Sequence, residues 1–221
     1  MAQHSRTSAS HGGQSDDPIE SLTSWLQAYS KQIGMGAAAI AVAGLAVVGY
    51  RYMDANKRNE ANAALYRATG PMMEGKLPEA QAALEKVVTR YSGTASGAQA
   101  AMLLAQVNFD QKKFAEGIKV LESAKGSAGA DFGSSFESLI AAGYESQGKF
   151  DEAAAHYAKA ATAARFPLDK GTAQAAQARS LTAAGKVAEA RTLWEALAKN
   201  ESLPYAQEAQ VRLGELSAAG K

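Results

Sequence analysis

The stretch LIAAGYESQGKFDEAAAHYAKA, residues 139–160, decides the fold. It reads as two helices folded about a break at Gly148-Lys149. Glu152 falls in the first turn of the second helix, where its charge suits the positive end of the helix dipole. Ala153 is small enough to let two helices cross closely. Tyr157 and Ala160 follow at four and seven residues, along the same helix face. Comparing the chain with itself finds the same turn three more times, at Gly75-Lys76-Leu77-Pro78-Glu79-Ala80, Lys112-Lys113-Phe114-Ala115-Glu116-Gly117 and Gly185-Lys186-Val187-Ala188-Glu189-Ala190. The closing small residues stand at 80, 117, 153 and 190, in steps of 37, 36 and 37. Four residues beyond each comes Leu84, Leu121, Tyr157 or Trp194, and three further Val87, Ala124, Ala160 or Leu197. Twelve residues before each stands Ala68, Ala105, Ala141 or Ala178. Each unit is therefore a helix hairpin with small residues where its two helices cross.

Toward the N-terminus, no charged residue lies between Lys31 and Arg51. As a helix, the 19 residues Gln32 to Tyr50 rise about 28 Å, close to the hydrocarbon thickness of a bilayer. Trp25 and Tyr29 precede this run, and Tyr50 and Tyr52 close it, as aromatic rings do at membrane–water interfaces. Asp16, Asp17 and Glu20 in the preceding segment argue for a retained anchor over a cleaved signal. Small residues at Gly34, Ala37, Ala38, Ala41 and Gly44 would let another membrane helix approach closely. Asp17, Pro18 and Glu20 read as a helix start. Ile19, Leu22, Trp25, Leu26 and Tyr29 form an apolar stripe suited to a membrane surface or to an extension of the span. The expected organisation is a disordered tail over 1–15, an amphipathic juxtamembrane helix over 16–31, a transmembrane helix over 32–53 and a repeat domain over 54–221.

The totals restrict function. Lys and Arg number 23 against 22 Asp and Glu, a net charge of +1 that carries no basic surplus for gripping nucleic acid. The chain has no cysteine, so disulfides and thiolate metal sites are excluded. His4 and His11 lie in the tail, and His156 reads as an isolated surface or groove residue. The Gly-Lys pairs are turns followed by hydrophobes, unlike a phosphate-cradling loop. Glu79, Glu116, Glu152 and Glu189 recur because the repeat recurs and would not converge as an acid/base pair. The expectation is a protein with no catalytic residue, metal, cofactor or small-molecule substrate.

The 139–160 unit strongly resembles a tetratricopeptide repeat, through small Ala141, aromatic Tyr144, turn Gly148, small Ala153, aromatic Tyr157 and Ala160. In the first unit Gly70-Pro71 predicts a broken or shortened leading helix, and in the second Asn108 stands where the third has Tyr144. The period is about three residues longer than the usual 34, predicting longer inter-repeat loops such as Gly126–Gly129. The fold class is thus expected to be all-α, one N-terminal transmembrane helix followed by a tetratricopeptide-repeat-like α-solenoid of about four helix hairpins. The segment after Pro204, through Val211, Leu213 and Leu216, would cap it. In such an array the leading-helix positions facing the concave groove would be Gln99, Met102, Gln106, Ser138, Ala142, Glu145, Ala175 and Arg179, a surface for protein partners.

Over nearly the whole chain the architecture is similar to the ancillary SecYEG translocon subunit family. The resemblance rests on one Gly/Ala-rich span ending Gly49-Tyr50-Arg51-Tyr52, the degenerate repeats that follow, and Ala190-Arg191-Thr192-Leu193-Trp194-Glu195-Ala196. It implies a single-pass protein of the bacterial inner membrane with a cytoplasmic N-terminus and a periplasmic repeat domain. The implied partners are translocon subunits, membrane-anchored folding factors and emerging client proteins. The count of Lys and Arg beside the span runs the other way: Lys31 precedes it, whereas Arg51, Lys57 and Arg58 follow, which alone places the repeats in the cytoplasm. That rule applies poorly to long translocated domains, so the periplasmic placement is preferred. The alternative is an accessory or structural subunit of another envelope or membrane-enzyme complex, held mainly through the span.

Overall fold

In a computed structural model, residues 18–199 and 204–219 are described. The tail 1–15 and the capping by Asp17 and Glu20 lie outside the described residues. The described chain is helical throughout: α1 (Pro18–Met73), α2 (Leu77–Arg90), α3 (Ala95–Asp110), α4 (Phe114–Lys125), α5 (Gly133–Glu145), α6 (Phe150–Ala163), α7 (Pro167–Ala183), α8 (Val187–Ala198) and α9 (Tyr205–Ala219), with a 3-10 turn at Ala130–Phe132. Two compact units divide between Asp54 and Ala55.

The first unit is α1 up to Asp54. From Gly34 onward α1 is long and apolar enough to cross a membrane. Its large side chains, among them Ile40, Leu45 and Val48, are exposed.

The second unit is four hairpins, formed by the end of α1 with α2, α3 with α4, α5 with α6, and α7 with α8, followed by α9. The same turn closes every one. The lysine amides of Lys76, Lys113, Lys149 and Lys186 donate to the carbonyls of Pro71, Asn108, Tyr144 and Leu181 at 2.8, 2.8, 3.0 and 2.9 Å. The residue before each lysine donates three positions back, which completes the Schellman closure of the leading helix. That closure needs a left-handed residue, and Gly75, Lys112, Gly148 and Gly185 take φ of 72, 60, 72 and 79°. Each lysine carbonyl then accepts the amide of Ala80, Gly117, Ala153 or Ala190 at 3.0–3.1 Å, opening the second helix. One residue ends a helix with its N–H and begins the next with its C=O.

Packing follows the sequence pattern. The crossing residues Ala68, Ala80, Ala105, Ala141, Ala153, Ala178 and Ala190 are all buried, and so are Leu84, Leu121, Tyr157 and Trp194 behind them. Gly117 takes the crossing position in the second hairpin because the Phe109 ring fills the space: a Cβ there would lie 2.4 Å from Cε1 of that ring. Trp194, Leu197 and Leu181 form the last core with Tyr205 and Ala209 of α9, so α9 caps the array.

Two local expectations are corrected. The first leading helix is not broken at Gly70-Pro71, because α1 runs on to Met73. Pro71 stands in the last turn, where it forgoes one amide bond to the Arg67 carbonyl, and its own carbonyl is the acceptor of the closing bond from Lys76. The extra residues of the long period are also not all in loops. A seven-residue connection does run from Gly126 to Phe132, but α6 and α7 are joined by residues 164–166 alone. The surplus there lengthens α7 to 17 residues.

Candidate partner-binding groove

The leading helices α5 and α7 run side by side, with α6 between them in sequence. Side chains that point between them line an open cavity of about 660 Å3. Ser135, Ser138 and Leu139 come from α5; Thr172, Ala173, Ala176 and Arg179 come from α7. The linker residues Arg165 and Phe166 close one end, where Arg165 pairs with Asp131. Phe166 is 63% exposed, a large apolar side chain at the mouth. Asp131 and Asp169 oppose Arg165 and Arg179, so the lining carries both signs. Such a surface suits mixed polar and apolar contacts rather than one strongly charged ligand.

Beneath the cavity a small polar network fixes α5, α6 and α7 together. The Glu145 carboxylate accepts from the Tyr157 hydroxyl at 3.1 Å and the Ser180 hydroxyl at 3.0 Å. Burial, together with the nearby Glu145 charge, pushes the Tyr157 phenol far above its usual range, so it remains a hydrogen-bond donor. Arg179 makes a two-pronged bond to Glu208 of α9 at 2.7 and 2.8 Å, which ties the groove wall to the cap.

Of the eight positions expected to face a groove, Ser138 and Arg179 share this cavity. Ala142 is half-buried on α5, and Glu145 belongs to the network below. Ala175 is 2% exposed within the last core and offers no side chain to a partner. On α3, Gln99 and Gln106 are exposed, the latter donating to Asp110 at 3.1 Å, and Met102 packs against the second core. Sequence reasoning missed Ser135 and Thr172, each one turn before a chosen position, and the linker residues Arg165 and Phe166. Gly34, Ala37, Ala38, Ala41 and Gly44 are all exposed, and a Cβ at Gly34 or Gly44 would meet nothing within 4 Å.

His156 is no isolated surface residue. Its Nδ1 lies 2.7 Å from Oε2 of Glu137, whose Oε1 accepts from Lys125 Nζ at 2.7 Å. An ionised carboxylate only accepts, so His156 Nδ1 carries the proton. The ring stacks on Tyr144 with centroids 5.3 Å apart. Burial alone would raise the Glu137 carboxyl, but the hydrogen bonds from Lys125 and His156 hold it below 4.5. A depressed carboxylate adds stability that is complete above its unfolded value and is lost as pH falls through the folded one. Glu137→Gln is therefore expected to cost about 1–2 kcal/mol at pH 7. Urea titrations should show the gap between the two proteins closing below about pH 4.5. A gap that stays constant with pH would contradict the ion pairing. Among the described residues no three His, Asp or Glu side chains converge as metal ligands would.

A family model described as a tetratricopeptide repeat-like domain matches residues 23–218. Among solved structures, TPR-like repeats from Podosopora anserina, described as those of a kinesin light chain, superpose with a TM-score of 0.57 at 19% identity. That match covers 74% of this chain and 88% of the other. A single-substitution variant of the same repeats gives the same TM-score and identity, with 87% of its chain covered. At that identity the likeness speaks for the fold. No curated protein matches the sequence.

Proposed function

Since the chain belongs to the tetratricopeptide repeat-like domain family, we propose that it is a non-catalytic, membrane-anchored scaffold that binds other proteins in the groove between α5 and α7. The observation that carries this is the cavity itself: it is open, of mixed charge, and built on rigid helices whose cores are closed behind it. α1 from Gly34 supplies the anchor, since its exposed apolar length suits a bilayer. In the finer reading the protein is an ancillary factor of the Sec translocon. The span would sit in the bacterial inner membrane with residues 1–31 in the cytoplasm. The repeats over 54–221 would meet folding factors and emerging clients in the periplasm. Support for this comes from the order of span, Gly-Tyr-Arg-Tyr cluster and degenerate repeats.

Sidedness tests this reading directly. The chain has no cysteine, so Ser8→Cys and Ser217→Cys, made separately, give single probes in intact cells. A membrane-impermeant maleimide is expected to label only the Ser217→Cys protein. Labelling of only the Ser8→Cys protein would place the repeats in the cytoplasm and end the translocon reading. Extraction in mild detergent should then bring translocon subunits down with the full chain. Recovery of a cofactor-bearing complex instead would favour an accessory role held through the span.

A further inference from the structure

The last three hairpins each pair a leading-helix residue with one twelve positions later. The pairs are Asn108 with Val120, Tyr144 with His156, and Leu181 with Leu193. In the middle hairpin this pair is two stacked rings, and Lys149 Nζ lies 5.9 Å over the Tyr144 ring. In the last it is two leucines, both part of the packing around Trp194. In the second hairpin neither position carries a ring. A cavity of about 510 Å3 opens there between the second helices α2 and α4, over α3. Leu104 and Asn108 form its floor, Val88 and Val120 its walls, and Lys113, the counterpart of Lys149, its rim. Asn108 is 3% exposed, and no group among the described residues pairs with its side-chain amide. That amide faces the open cavity, where the neighbouring hairpins place a ring or a leucine.

We propose that this groove receives an aromatic side chain from a protein partner, in the place that Tyr144 holds one hairpin later, while the partner's adjacent backbone amide pairs with Asn108. Three features specify that occupant. The next hairpin carries a ring at the matching place, and the cavity of about 510 Å3 has room for one. Val88, Leu104 and Val120 offer it apolar contact, and Lys113 stands where a lysine covers the ring face in the following turn. The Asn108 amide has one accepting and one donating end, which matches the C=O and N–H of a peptide group. The site lies on second helices, apart from the groove between α5 and α7, so one chain could hold two proteins at once.

N-acetyl-tyrosine methylamide is the simplest probe, with N-acetyl-alanine methylamide as its ringless control. Full-length protein in lipid nanodiscs, labelled at Val and Leu methyls and Asn amides, is titrated by NMR. The tyrosine probe is expected to give saturable shifts at Val88, Leu104, Val120 and the Asn108 side chain, with Kd on the order of 1 mM. Asn108→Leu copies the last hairpin; it should raise Tm and weaken the probe at least about tenfold, through loss of the amide pair and the space. Lys113→Met keeps the backbone closure and should weaken it about 2- to 5-fold with Tm unchanged. Arg179→Ala, in the other groove, should leave the titration as it is. The proposal is overturned by no saturable shift at these residues, by an equal response to the alanine probe, or by an unaltered response in Asn108→Leu.

Discussion

Replacing Gly97 with alanine lowers the melting temperature of the repeat domain by about 6–12 °C, the equivalent of about 3 kcal/mol. Gly97 is buried in the first turn of α3. A Cβ there would stand 2.3 Å from the carbonyl oxygen of Tyr91 and 2.9 Å from its carbon. Both are backbone atoms, so no side-chain rotation relieves the overlap. Nor can the carbonyl turn away freely, because it accepts from the Thr94 amide at 3.1 Å and the Thr94 hydroxyl at 2.7 Å. The same hydroxyl accepts the Gly97 amide at 3.1 Å, closing the N-cap of α3. The clash must therefore spread into the connection from α2 to α3. Gly126→Ala is the matched control: that glycine has right-handed φ of −63° and nothing within 4 Å of a Cβ. Thermal melts of the two variants decide the point. Equal Tm values would mean that the α2–α3 connection yields easily.

Gly171→Ala acts at the other end and stays local. Its Cβ would fall 1.9–2.2 Å from the ring and hydroxyl of Tyr205, which are seated on α7. Tyr205 is 9% exposed and belongs to the core that holds α9 over Trp194. Pushing the ring out should release α9 and cost about 2 kcal/mol. Hydrogen exchange should show α9 amides losing protection while α3 to α6 keep theirs. In a Trp25→Phe background, Trp194 emission should shift to the red as its cover leaves. Adding Tyr205→Leu removes the obstacle and should restore part of the loss, a coupling of about 1 kcal/mol or more. Unchanged α9 protection in Gly171→Ala would show that the ring has another seat.

What could be read beforehand divides by distance along the chain. The hairpin turn is written within six consecutive residues, so Gly75, Gly148 and Gly185 announce it, and the steps of 36 and 37 align even the aberrant Lys112. The crossing alanines and the large residues behind them follow from helix periodicity on the same alignment. Pro71 misled because a proline is read as a break, whereas here it forgoes a single amide bond two residues before the helix ends and its carbonyl serves the closing turn. The groove was only half legible. Ser138 and Arg179 lie on the face that the repeat register assigns, but Ala175 turned inward under Tyr205 and α9, whose placement no local pattern reveals. Arg165 and Asp131 meet across 34 residues, and Glu137 and His156 across 19. Both pairings depend on how α5 and α6 lie side by side within their hairpin, which brings its entry and exit together. Asn108 was visible as a departure from the repeat, and only the cavity beside it gave that departure a meaning.

The lysine that closes one helix and opens the next has a consequence for how the chain is made. Every bond of that turn joins residues at most five apart, so a hairpin has its defining contacts as soon as it is delivered. A chain arriving end first, at a ribosome or through a membrane pore, can fold one unit at a time and need not wait for its C-terminus. Each new hairpin finds a finished neighbour to pack on, and only the most recent one is left with a bare face. In such a chain the time spent incomplete is set by the pace of delivery of about 37 residues, and α9 ends it by covering the final face.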